Sequence, residues 1–284
     1  MGYLLSRSGT RGSVSTGFCV ALCALWPLAG CSAFAAGSDV LTAEQNSATP
    51  ANTTGSDDAT MNDWSCLNGV VGVNDSNVTP DRNQRATYSV FLIDGVTSAP
   101  PVGMQVRACN NFDPECQLPV ISGALAGADG VVHLELFRGF NGFLEITSPV
   151  TVPNLYFLPE PLVGDVVGPT YALAEPAGLQ GLAALNGLEL DPARGHVFGV
   201  LEDCAGRRAS GVKLSNDKGG IGFFFVGGTP TVTQPYSAAD GTGGFVNLLP
   251  GAVVVRAATL DNRPISAKTM YVRPGWFSDT TFAP

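Results

Sequence analysis

Charge is scarce in this chain. Of 284 residues, 14% are Asp, Glu, Lys or Arg, and only two are histidine, His133 and His196. Two histidines on separate strand-like runs are poor material for a Ser-His-Asp relay, and no Gly-x-Ser-x-Gly elbow is present to carry a nucleophile. Zinc needs thiolates or imidazoles clustered at ligand spacing, and neither histidine lies near a cysteine pair. The glycine-rich run Lys218 to Gly228 lacks the Gly-Lys-Ser/Thr ending of a phosphate loop. Val73 to Asp81 offers oxygen ligands but is shorter than a calcium-binding EF-hand loop and reads as a turn. No metal or cofactor is expected. Bases are scarcer than acids, 15 against 24, for a net charge of −9. That balance argues against nucleic acid, which needs basic patches, and against direct docking on anionic lipid. A long hydrophobic run is missing as well. Phe18 to Leu28 is apolar, but it is too short for a comfortable span and Pro27 interrupts it.

What is present begins with a leader. Arg7 and Arg11 precede the apolar run without an acid between them, the layout of an export signal. The run ends in Leu28-Ala29-Gly30-Cys31, which resembles the lipobox of bacterial lipoproteins. The resemblance implies cleavage before Cys31, acylation of that residue as the first of the mature chain, and anchoring in the lipid bilayer. Ser32 in place of an Asp implies sorting to the outer membrane. A competing reading is ordinary cleavage after the small residues of Ser32 to Gly37, which would release a soluble secreted protein. With residues 1–30 removed, 13 bases face 24 acids, near −11. Residues 31–62, rich in small polar residues and without Lys or Arg, form an expected disordered tether, about 30 Å in mean span.

Behind the tether the pattern turns to short apolar bursts between Gly- and Pro-containing turns, which is an all-β signature. Four blocks recur in order. Gly103 to Ala108 matches Gly211 to Asn216, Ala128 to Leu136 matches Gly241 to Leu249, Gly139 to Thr147 matches Leu249 to Thr259, and Leu155 to Pro161 matches Met270 to Trp276. Val132, Leu134 and Leu136 alternate with His133 and Glu135, and Val253 and Val255 alternate with Val254 and Arg256. Each hairpin therefore has one apolar face that must pack on a second sheet. The expected fold is two tandem β-sandwiches, residues 63–168 and 195–284. Residues 169–194 join them. Pro176 suits the start of a short helix, Gly187 suits its end, and Leu179, Leu182, Leu185 and Leu188 form a candidate stripe between.

Leu201 to Leu214 and Asp240 to Ala257 resemble the carboxypeptidase regulatory-like domain, a transthyretin-like sandwich. Tyr88 to Ile146 matches it less closely. Trp64 to Leu67 with the Cys109 loop also resembles uncharacterised lipoproteins of myxobacteria and their relatives. The resemblance implies a fold and no peptidase activity, because no peptidase domain accompanies it.

Four cysteines follow Cys31. Cys109 and Cys116 flank a turn-rich loop and form the favoured short disulfide, which leaves Cys66 to pair with Cys204 across the two halves. Functionally the chain reads as a non-catalytic envelope lipoprotein, either structural or binding protein or glycan through loops at the sandwich ends. Trp276, Tyr236 and Phe140 are candidates for sugar stacking. The alternative is a hydrolase using carboxylates among Glu115, Glu135, Glu160, Glu202 and Asp203.

Overall fold

The computed structural model describes residues 62–68, 78–95, 97–101 and 103–284. The leader, Cys31, nearly all of the tether and most of the Val73–Asp81 turn lie outside them. A single 3-10 turn, Ser65–Leu67, precedes the first strand. Seven strands follow: β1 (Asp81–Asp94), β2 (Gln105–Asn110), β3 (Ile121–Leu125), β4 (Val131–Arg138), β5 (Gly142–Thr147), β6 (Asn154–Phe157) and β7 (Val166–Leu173). Helix α1 (Pro176–Leu185) then leads to β8 (Gly195–Leu201), β9 (Val212–Asn216), β10 (Ile221–Val226), β11 (Thr229–Thr231), β12 (Thr242–Leu248), β13 (Gly251–Thr259), β14 (Pro264–Val272) and β15 (Phe277–Phe282). The protein is all-β and built from sandwiches.

The repeated sequence blocks fall on equivalent strands. In the first copy β1 pairs antiparallel with β4 and parallel with β7. In the second, β8 pairs antiparallel with β12 and parallel with β15. The matched blocks lie on β2 and β9, β4 and β12, β5 and β13, and β6 and β14. One strand departs from the pattern. β3 joins β2, whereas its counterpart β10 joins β12. A glycine admits β10 there: a Cβ on Gly243 would stand 2.3 Å from a ring carbon of Phe224 in β10, and on the other side one on Gly244 would stand 2.0 Å from the Val197 carbonyl oxygen of β8.

The two copies share a sheet, which the repeat pattern does not reveal. β15 pairs in parallel with both β8 and β6. The result is one nine-stranded sheet, ordered β11-β10-β12-β8-β15-β6-β5-β2-β3, and two three-stranded sheets, β4-β1-β7 and β14-β13-β9. Alternate residues of β5 and β6 enter different cores. Leu144, Ile146 and Tyr156 pack with Val90, Leu92 and Leu134 of the first copy. Phe143, Leu155 and Phe157 pack with Val253, Val255, Met270 and Phe282 of the second. The three-stranded sheets therefore cover opposite faces of the long sheet. β5 and β6 are buried on both sides, which is why apolar residues point to both faces there and why Glu145 and Asn154 are paired with Arg273, Arg107 and Asp279.

Turn chemistry follows the sequence. Gly251, after Pro250, has φ +115°, and Gly187 has φ +66°. Behind α1 the Gly187 N–H bonds the Ala184 carbonyl and the Leu188 N–H bonds the Ala183 carbonyl, closing the helix in a Schellman arrangement. The leucine stripe does not form a buried face. Three-residue spacing slips about 60° per step around a helix, so Leu185 swings away from Leu179 and is 74% exposed. The helix end is instead fixed by Asn186, which donates to the Pro230 carbonyl and accepts from the Val232 N–H.

Candidate functional site

Both disulfides form. Cys66 and Cys204 have Cα atoms 5.8 Å apart and join the 3-10 turn before β1 to the turn after β8. Asp203 organises that junction, accepting from the Asp63, Ala205 and Arg207 N–H groups and from the Arg207 guanidinium. Burial alone would raise its carboxyl pKa, but these donors outweigh burial and hold it well below the usual range. The first described residues are thus stapled to the second sandwich before the chain enters the first.

Cys109 and Cys116, with Cα atoms 5.3 Å apart, close the loop between β2 and β3. Its backbone is held from several sides. The Asp113 N–H bonds the Asn110 carbonyl, and the Cys116 N–H bonds the Asp113 carbonyl. The Asp113 carboxylate accepts from the Leu118 and Gln117 N–H groups, which lower its pKa. The second sandwich reaches across to grip the loop. Arg273 of β14's end donates to the Pro114 carbonyl at 2.6 Å, and the Tyr271 hydroxyl donates to the Asn111 carbonyl at 2.8 Å. Arg273 also bonds Glu145, which is shared with Arg107, and lies 4.8 Å from the Trp276 ring centroid. On this rigid support two large apolar side chains, Phe112 and Leu118, are each 81% exposed. No other large hydrophobic side chain among the described residues is more exposed. This loop is the candidate recognition site.

The other candidates disperse. Phe140 is fully buried against Phe137, so it cannot stack on a sugar; the hairpin turn at Gly139 tucks it inward. Trp276 is half-buried under Arg273, and Tyr236 is 37% exposed on a separate turn. Of the two disulfide-closed features, only the loop presents an aromatic ring outward, and Phe112 is the candidate contact residue that sequence reasoning passed over. Its signal was available: an aromatic residue inside a short cysteine-closed turn has no core to enter.

Carboxylates do not converge either. Glu135 accepts from the Thr87 hydroxyl, Glu115 and Glu160 are exposed, and Asp203 is committed to its donors. Glu202, raised by burial, neighbours Arg208. Ser89 and His133 do meet, with Oγ and Nδ1 2.8 Å apart, but on an open sheet face where no carboxylate contact to the imidazole is recorded among the described residues. His196 is buried, accepts from the Asn247 N–H at 3.3 Å and has its pKa lowered by burial to about 4. Among the described residues no group of His, Cys, Asp and Glu could hold a metal ion. One carboxyl has an unusual environment. Asp279 of β15 is buried in the seam between the copies beside Asn154, and burial raises its pKa to about 7 against the opposing Asn154 hydrogen bond. It has no route to solvent chemistry, at 6% exposed.

The class these observations define is a tandem β-sandwich protein with a braced, apolar loop. No protein-family model matches the chain, and no curated protein matches it. Solved structures give distant similarities. The Bacillus anthracis TIE protein is 11% identical with a TM-score of 0.25, over 70% of this chain and 34% of that one, so this chain spans about a third of its length. A streptococcal ancillary pilin is 11% identical, TM-score 0.22, over 70% and 68%. The shaft pilin SpaA of Lactobacillus rhamnosus GG is 10% identical, TM-score 0.23, over 72% and 98%.

Proposed function

We propose that the chain is a non-catalytic lipoprotein of the cell envelope, held in the outer membrane by acylated Cys31, with tandem sandwiches of the carboxypeptidase regulatory-like type carried on a flexible tether. Its role is adhesive or structural, and its contact element is the Cys109–Cys116 loop. The observation that carries the reading is the contrast between the polar groups and that loop. The carboxylates and histidines are committed to structural partners, isolated on open faces or sealed in cores, whereas Phe112 and Leu118 stand out on a backbone fixed by a disulfide and by two side chains of the second sandwich. Two disulfides suit an exported protein. Several acyl chains on one cysteine would anchor it stably, each buried methylene contributing about 0.8 kcal/mol.

Labelling with a clickable fatty acid in the expressing bacterium tests the anchor. The wild-type chain is expected to take up label and partition with membranes, and Cys31→Ser to do neither. Label on the variant would overturn the anchoring site.

A further inference from the structure

We propose that the Cys109–Cys116 loop touches the surface of an electrically neutral lipid bilayer, with Phe112 and Leu118 entering the interface. This rests on the loop being the contact element and is independent of acylation at Cys31. Phe112 and Leu118 are each 81% exposed, and Leu125 on the following edge strand is 70% exposed. From Gln117 to Ala128 the chain carries no charged residue, although the protein holds 24 acids. The loop also answers the main objection to placing backbone near hydrocarbon. N–H groups of 113, 116, 117, 118 and 120 are bonded within the protein, and the carbonyls of Asn111, Pro114 and Cys116 accept from Tyr271, Arg273 and Arg107. Behind the tip lies Arg273 over Trp276, the pairing of amphipathic ring and cation that suits headgroup depth.

A protein partner is the weaker fit. Interface hot spots sit in well-packed, desolvated pockets, whereas these two side chains are each 81% exposed. Anionic lipid is disfavoured by the net charge of −9 and by exposed Glu115 on the loop. A fluid bilayer needs no matching pocket and accepts protruding apolar groups.

The test uses the full chain carrying Cys31→Ser, so that no acyl group contributes. It is sedimented with phosphatidylcholine vesicles and with vesicles containing added phosphatidylglycerol. Binding is expected to phosphatidylcholine, weaker with phosphatidylglycerol, and reduced about tenfold by each of Phe112→Ala and Leu118→Ala. Both side chains are exposed, so neither change should alter the circular dichroism spectrum. Phe112→Trp should add emission that shifts to the blue on the vesicles. Absence of binding, binding that survives both alanine changes, or an unshifted tryptophan would overturn the proposal. So would concentration-dependent self-association without lipid that Phe112→Ala abolishes, because the loop would then meet a second copy. Failure here with successful fatty-acid labelling would leave the anchor standing and remove only the loop's lipid contact.

Discussion

Replacing Asp279 by Asn should turn a nearly flat response to mild acid into a loss of stability. Asp279 is buried between β6 and β15, and its folded pKa is about 7 against 3.8 for an ordinary aspartate. The folded state therefore holds a proton that the unfolded state has released. Between those values the native state binds more protons, so stability rises as pH falls from about 7 toward 4. At about 1.36 kcal/mol per unit the full difference is about 4 kcal/mol. His196 acts oppositely. Its folded pKa of about 4 lies below the ordinary 6.5, so the unfolded state takes the proton first and stability falls as pH drops through that window. The histidine is 3% exposed, and its contribution is at most about 3 kcal/mol after solvent screening. Glu202, raised by burial, adds to the Asp279 side. In the wild type these effects nearly cancel between pH 7.5 and 4.5. Asp279→Asn removes one side and should leave a profile that falls by about 2–3 kcal/mol over the same range. His196→Gln removes the other and should leave one that rises by a similar amount. Urea unfolding followed by tryptophan fluorescence at several pH values measures this. An Asp279→Asn slope equal to the wild-type slope would show that Asp279 is ionised in the native protein, and the burial argument would be wrong.

The remaining expectations concern staples and packing. Opening Cys66–Cys204, with a sequence separation of 138, should cost about 5 kcal/mol on the chain-entropy estimate, and opening Cys109–Cys116, with a separation of 7, about 2–3 kcal/mol; denaturation of the paired serine variants gives the order, which is the point at issue. Phe140→Ala should destabilise by about 3–5 kcal/mol because Phe140 is fully buried, whereas Phe112→Ala should change stability by less than about 0.5 kcal/mol in the same assay. Gly251→Ala should cost about 1 kcal/mol through its φ of +115° although nothing crowds the site, and a melting curve unchanged from wild type would show that the turn relaxes.

The alternation of Val132, Leu134 and Leu136 was enough to fix which face of β4 is buried, and the spaced blocks were enough to equate β2, β4, β5 and β6 with β9, β12, β13 and β14. Both signals are local or repeat at an offset that climbs only slowly along the chain. The shared sheet is neither. It depends on three register pairs between Phe277–Asp279 and Asn154–Tyr156, more than a hundred residues apart, and nothing in the sequence of β15 names β6 as its neighbour. A trace was present in Ser278, Asp279 and Thr280, polar residues that make a poor solvent-facing pattern because Phe277 and Phe282 flank them. All are buried; Asp279 and Thr280 bond Asn154 and Phe157 across the seam, and Ser278 bonds Tyr271 of β14. The candidate site was half legible. Its cysteines were evident, but the grip of Arg273 and Tyr271 on the loop comes from the second copy and required the fold.

That grip joins the loop to the other end of the chain. The chain around Asn62 is tied to the second sandwich by hydrogen bonds of Asn62 and Asp63 to Ser210, Asp203 and Cys204 and then by the Cys66–Cys204 bond, ahead of β1. From β8 the linkage continues by backbone hydrogen bonds to β15, and β15 is paired on its other side with β6. The Ser278 hydroxyl ties β15 to Tyr271 of β14, whose own hydroxyl holds Asn111. Every step is a covalent bond, a strand pairing, or a hydrogen bond to a half-buried group. The loop that carries Phe112 is thereby linked through the second sandwich to the stapled turn at Cys66.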